Sequence, residues 1–330
     1  MSADTFLADG LRAMRADAVV ADLSGRGALA VAGPDAAELL HGLVTNDVKA
    51  LRPGDGCHAA LLTPKGKMRA DLAVLRTESE LLLDCEPSLA APLVAVLSAY
   101  VPFSRSSLED RTAATAVVHL EGPRAGEVLA AAGLAEPGAT PFSHLEGEAG
   151  GTALRVVRAS RAGESGFSLL APRDAAATLA AILADAGARA ATPELLEAGR
   201  IDAGLPRWGA ELDETVLPNE AWLERSAISY TKGCYLGQET VARLRTYGHV
   251  NRHLVALLLP AGSGVGRGAA VRSGDEAVGT VTSAVESPLR DRRVALGFVR
   301  RGHEAPGTVL SVEGPSGPVE AVVAAVPLAP

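Results

Sequence analysis

Short apolar runs that end in Gly-Pro or Ala-Pro and lead into leucines at helical spacing recur through the first two thirds of the chain. Residues 28–32 read as a strand, Gly33-Pro34 ends it, and residues 35–44 place Leu39, Leu40 and Leu43 on one face of a helix whose first turn Pro34 suits. The pattern recurs at 117–120, Gly122-Pro123 and 124–129, and more loosely at 167–170, Ala171-Pro172 and 174–183. Three strand–Pro–helix units predict an α+β chain built from related modules, although Ala-rich segments match one another easily.

Between these units, residues 56–62 and 72–75 read as strands joined by the polar turn Thr63-Pro64-Lys65-Gly66-Lys67, with 81–85 as a third strand of an antiparallel meander. Residues 87–100 form an Ala/Leu helix with Pro92 in its first turns. Past Gly248 the texture changes to six β-type runs, at 254–259, 269–272, 277–285, 294–299, 309–312 and 319–326, separated by Gly, Pro and Ser. This predicts a small barrel or sandwich and divides the chain into regions 1–247 and 248–330.

Composition narrows the function. Of 330 residues 48% are apolar, enough for real cores, but only 3% are aromatic, so surfaces for stacking bases are scarce. Thirty-one Lys and Arg against thirty-nine Asp and Glu give a net charge of −8, which argues against DNA or anionic membranes as partners while leaving room for a local basic pocket. Three cysteines, Cys57, Cys85 and Cys234, are too few and too dispersed for a disulfide framework. With no basic leader and no apolar run longer than the six residues 254–259, a cytoplasmic protein is expected.

The most unusual segment is Lys232-Gly233-Cys234-Tyr235-Leu236-Gly237-Gln238-Glu239. Two glycines allow a turn and close approach to a ligand, and Lys232 could hold Cys234 as a thiolate or grip an anion. The plain alternative is a small buried cysteine at a loop–helix junction. A second cluster alternates Lys65, Lys67, Arg69 and Asp71, which would share one strand face and meet a ligand's carboxylates and amino protons, or else form a charged hairpin tip. In a third, 199–212, Arg200 stands where a helix from Pro193 should end, as a cap or an anion binder. His249 and His253 make a poor metal pair, the glycine-rich 262–268 lacks the Lys-Ser/Thr of a phosphate loop, and no Ser/His/Asp order, HExxH or CxxC is legible.

Taken in order, the 40–48 stretch Leu-His-Gly-Leu-Val-Thr-Asn-Asp-Val, the Gly66-Lys67-Met68 turn, the 200–206 stretch, Pro218 and the 232–239 string closely resemble the signature of the YgfZ family of folate-binding proteins. These are relatives of the glycine-cleavage T-protein (aminomethyltransferase) and of a mitochondrial iron–sulfur assembly factor. The resemblance implies an aminomethyltransferase-like fold of two interleaved α+β modules plus a C-terminal β-barrel, around a channel for tetrahydrofolate. It also implies a role in maintaining iron–sulfur enzymes, including radical enzymes that modify tRNA, with those clients or assembly proteins as partners. Lys232 and Cys234 match the motif's lysine and cysteine. Asp71 falls where the transferases carry the carboxylate beside the folate N5, Glu164 resembles their pterin-binding glutamate, and Arg200 the arginine of their Leu-Arg-x-Glu-Ala-Gly element. The implied catalytic pair is thus Cys234 and Asp71, and the implied folate-binding set Lys232, Glu164, Arg200 and Tyr235. With one motif cysteine, the chain is not expected to ligate a stable cluster by itself. The alternative activity is aminomethyl transfer to tetrahydrofolate, which would need Asp71 and tolerate loss of Cys234. A scaffold that docks a partner around Tyr235 is a third.

Overall fold

A computed structural model describes residues 3–328. Helix α1 (Ala3–Ala16) leads into strand β1 (Val19–Asp22), and the first module follows with β2 (Gly27–Ala32), α2 (Ala36–Leu43), the meander β3 (Gly56–Leu62), β4 (Met68–Arg76) and β5 (Glu80–Cys85), α3 (Ala90–Ser98) and β6 (Ser107–Asp110). Its five strands are ordered β3-β4-β5-β2-β6. Leucines 40 and 43 of α2 and 93 and 97 of α3 pack on one face of this sheet, against Leu29, Val31, Leu61, Leu72 and Leu83. Pro92 sits in the first turn of α3, where a missing N–H costs nothing.

The second module repeats this plan with β7 (Thr115–Glu121), α4 (Ala125–Ala131), β8 (His144–Ala149), β9 (Thr152–Arg158), β10 (Gly166–Pro172), α5 (Ala176–Asp185) and the short β11 (Arg189–Ala190), in a sheet ordered β11-β1-β7-β10-β9-β8. Only two of the three predicted strand–Pro–helix units head a module. The third, β10 with α5, pairs antiparallel along β7 and belongs to the second module.

Interleaving has a definite form. Strand β1 precedes the first module but pairs with β7 of the second, Val19 opposite Glu121, while β6 precedes the second module and pairs with β2 of the first, Leu29 opposite Asp110. Each sheet borrows the strand that introduces the other, so neither closes its edge alone.

After α6 (Pro193–Asp202) and α7 (Gln238–Tyr247), six strands form a closed barrel ordered β12-β15-β14-β13-β16-β17: β12 (Arg252–Pro260), β13 (Ala270–Ser273), β14 (Glu276–Ser287), β15 (Arg292–Arg300), β16 (Val309–Gly314) and β17 (Gly317–Ala324). The unbroken apolar run of β12 is explained by burial on both faces: Val255 and Leu257 fill the barrel, whereas Leu254 and Ala256 pack outward with Leu11 and Met14 of α1 and Ile201 of α6. This outer core joins barrel, α1, α6 and the first sheet's second face, through Ala60, Leu62 and Met68.

Candidate functional site

The C-terminus of α2 leaves carbonyls without helical partners, and Lys232 takes them. Its ammonium donates to the carbonyls of His41, Val44 and Asn46 at 2.5, 2.6 and 3.0 Å. Four residues on, the Leu236 N–H donates to the Gly42 carbonyl at 3.1 Å. The 40–48 and 232–239 motifs are therefore one structural unit. The roles expected of Lys232, holding a thiolate and binding folate, are both corrected by this geometry, because all three of its N–H donors are spent on backbone oxygens. Burial pushes the Lys232 pKa down to about 8 against the pull of Asp47. The Tyr235 ring lies 4.9 Å from the ammonium, and burial raises its phenol to about 12.

Gly237 caps α7 with φ of +83°, and a Cβ there would sit 2.5 Å from the Thr63 carbonyl oxygen, so a side-chain-free residue lets the β3–β4 turn lie against the loop. Within this braced frame Cys234 is exposed, which overturns the reading of a buried junction cysteine. Cys57 and Cys85 lie in the first sheet, and burial raises each thiol to about 12.

The alternation proposed for Lys65, Lys67, Arg69 and Asp71 is interrupted. Leu61 pairs with Ala70, but Leu62 pairs with Met68, a β-bulge that leaves Arg69 unpaired. Arg69 consequently lines a cleft with Leu61 and Leu93 of α3, and Lys67 donates to the Thr215 carbonyl at 2.6 Å. Asp71 points to the other face, where His58 Nε2 meets its Oδ1 at 2.5 Å. The second ring nitrogen of His58 meets the Ser226 hydroxyl at 3.0 Å. A Ser226–His58–Asp71 line is thus assembled from residues whose order in sequence announces nothing. Burial opposes the charged imidazole, but the charge and hydrogen bond of Asp71 outweigh it and raise the His58 pKa. Asn46 ties this line to the Lys232 loop, donating from Nδ2 to the carbonyls of His58 and Ser226 at 2.8 and 3.2 Å.

Glu164 and Arg200 lie elsewhere. Glu164 bonds Arg15 of α1 at 2.9 Å, and Arg15 reaches Asp202 of α6 at 3.1 Å. Arg200 is buried at the junction of α6 and the barrel, where it bonds Glu197, the Leu205 carbonyl at 3.2 Å, Glu211 at 2.6 Å and Ser283 at 2.9 Å. Glu197 also takes its Nε–H at 3.0 Å, so all five guanidinium donors are used. The expected folate-binding role of Arg200 is corrected accordingly: the residue holds α6 to the barrel through Glu211.

One oxygen of Asp71 and one of Glu164 accept no bond from any described residue. Each carboxylate is oriented by a basic partner and keeps an oxygen open, the acceptors that a pterin's ring and amino N–H groups require. Two clefts, of about 700 Å³ against α3 and about 550 Å³ between the two sheets, are lined by other residues. His253 stacks on Trp222 with the ring centroids 4.3 Å apart. No helix among the described residues is long and apolar enough to cross a membrane.

Comparison with known proteins places this architecture. The GCVT N-terminal domain matches residues 2–232, and the glycine cleavage T-protein C-terminal barrel domain matches 252–329. An Arabidopsis thaliana protein described as a putative chloroplastic transferase is 28% identical over 297 residues, covering 89% of this chain and 68% of its own length. The aminomethyltransferase of Thermus thermophilus is 31% identical over 303 residues, covering 89% of this chain and 83% of its own. In three dimensions the chain is similar to the glycine cleavage system aminomethyltransferase T of Bartonella henselae, with a TM-score of 0.86 and 25% identity across 97% of this chain and 89% of that one. A single fold of two interleaved modules and a barrel, matched along nearly its whole length, means that the chain belongs to the glycine cleavage T-protein family.

Proposed function

We propose that this protein binds tetrahydrofolate and, through Cys234, supports the assembly or repair of iron–sulfur enzymes, among them radical enzymes that modify tRNA. The observation that carries the reading is an exposed thiol on a loop that Lys232, Leu236 and Gly237 brace against the first module. Such bracing gives a free cysteine a set position, which a solvated surface residue would not need. Asp71 and Glu164 would hold the folate by their open oxygens, with His58 and Arg15 fixing the carboxylates. Bound tetrahydrofolate supplies a carrier nitrogen for one-carbon units. A reducing cytoplasm would keep the thiol free.

A second reading, aminomethyl transfer to tetrahydrofolate, is favoured by the Asp71–His58 pair and by the names of the aminomethyltransferases to which the chain is similar. In it, Asp71 takes the proton that the folate nitrogen gives up, at its open oxygen, and His58 holds the carboxylate in place, while Cys234 has no part.

Calorimetric titration with tetrahydrofolate of the wild type, Cys234→Ala and Asp71→Ala tests both. Cys234→Ala should bind as tightly as the wild type, and Asp71→Ala about 10-fold or more weakly, the loss of one charge-assisted hydrogen bond. In cells lacking the protein, Cys234→Ala should fail to restore iron–sulfur enzyme activity. A purified protein that transfers aminomethyl groups undiminished by Cys234→Ala would establish the second reading instead. A wild type that binds no folate overturns both.

A further inference from the structure

Glu121 ends β7 wholly buried, and nothing in the functional reading uses it. One carboxylate oxygen accepts from the Ser160 hydroxyl at 3.0 Å, the Ala162 N–H at 3.0 Å and the Glu164 N–H at 2.9 Å. The other accepts from the Arg161 N–H at 2.9 Å and His119 Nε2 at 2.7 Å. A carboxylate has about four lone-pair positions, so this acid is saturated. Gly166 makes the approach possible, since a Cβ there would fall 2.4 Å from a Glu121 oxygen.

The donors are the loop between β9 and β10 turned inward around one anion. Three of its N–H groups and one hydroxyl converge on Glu121, while the Arg161 side chain crosses to the first module and bonds Asp84 at 2.8 Å. Glu164 is the last residue so held before β10 begins. The far side is set as well: His119 is buried, its Nδ1 meets the Ser168 hydroxyl at 3.0 Å, and burial lowers the imidazole's pKa against the pull of Glu121. Despite burial, the His119 and backbone hydrogen bonds hold the Glu121 carboxyl below its ordinary range, so it is ionised.

We propose that Glu121 is the positioning residue for Glu164, setting the backbone from which that carboxylate meets a folate, so that Glu121 affects folate affinity through Glu164 alone. This rests on the folate reading above. Glutamine in its place keeps the shape but turns an N–H₂ toward inward-facing donors, which breaks the anchor.

The test uses Glu121→Gln, Glu164→Gln and the double variant in the full chain. Amide hydrogen exchange without folate should quicken about 10-fold or more at residues 161, 162 and 164 in Glu121→Gln. Tetrahydrofolate affinity should fall about 10-fold in each single variant and no further in the double, the non-additivity of residues acting as one unit. A double variant whose loss is the product of the two single losses overturns the positioning role, because a merely structural defect would also weaken the Glu164→Gln protein. Unchanged exchange in Glu121→Gln overturns the anchor itself. If Glu121→Gln does not fold, Ser160→Ala, which removes one donor and keeps the charge, should weaken folate about 3-fold on the same non-additive pattern. A wild type that binds no folate overturns the folate reading and the positioning with it, while faster exchange in Glu121→Gln would still establish the loop anchor.

Discussion

His58 Nε2 lies 2.5 Å from Asp71 Oδ1, on the face of the first sheet that looks away from α2 and α3 and toward the core shared with the barrel. The pair links the first module's carboxylate to Ser226 and, through Asn46, to the loop that carries Cys234.

Because Asp71 raises the His58 pKa above that of an unfolded histidine, the pair stabilises the protein most below about pH 6.5 and loses that contribution as pH rises through the folded value. Asp71→Asn should therefore lower the melting temperature more at pH 6 than at pH 9. Equal losses at both pH values would show that the imidazole is not charged by Asp71.

The three thiols should separate kinetically. Cys234 is exposed, while burial lifts Cys57 and Cys85 to about 12, leaving their thiolate fraction at pH 8 about three orders of magnitude below that of an ordinary thiol. An aromatic disulfide reagent should titrate one thiol rapidly and two more only on unfolding, and Cys234→Ala should remove the fast phase. A fast phase that survives in Cys234→Ala would contradict the placement.

Lys232→Met should cost about 2 kcal/mol in urea unfolding, since the carbonyls of His41, Val44 and Asn46, at and just after the end of α2, lose one charged donor group. Lys232→Arg should not restore it, because a planar fork cannot direct three donors from one point. Rescue by arginine would mean that charge alone holds the loop.

Arg200→Leu leaves Glu211 buried without its cation and should destabilise by about 3–5 kcal/mol. Folate affinity of the folded variant should match that of the wild type, because none of the arginine's donors is free. A selective loss of folate binding with stability intact would return Arg200 to the ligand site.

Several elements were legible because burial of a strand or helix face has a short period. Short β-type runs separated by Gly, Pro and Ser marked all six barrel strands, the leucine spacing marked α2 and α5, and Pro34, Pro92 and Pro193 stood near the helix starts the structure shows. The bulge at Arg69 was not legible: it inserts one residue against a partner strand and re-aims every side chain before it, with no change in local composition. Arg200 was placed at the end of its helix, but its saturation depends on Glu211 and on Ser283, 83 residues away. His58 and Glu121 gave no signal, as each lies in an ordinary strand and is completed by a distant loop, at Ser226 and at residues 160–164 respectively.

The sequence by itself determined the α+β character, the six C-terminal strands and the two motifs that matter most, since these depend on residue type and on spacings of two to four, whereas closure of those strands into a barrel was set by their pairing. The tertiary structure alone decided that β1 and β6 exchange sheets, that Lys232 closes α2 from 188 residues beyond Val44, and that His58 stands between Asp71 and Ser226 across a separation of 168. Contacts over such distances are selected by how whole sheets and loops bury their faces together, and a side chain's neighbours are then set by packing rather than by anything adjacent to it in the chain.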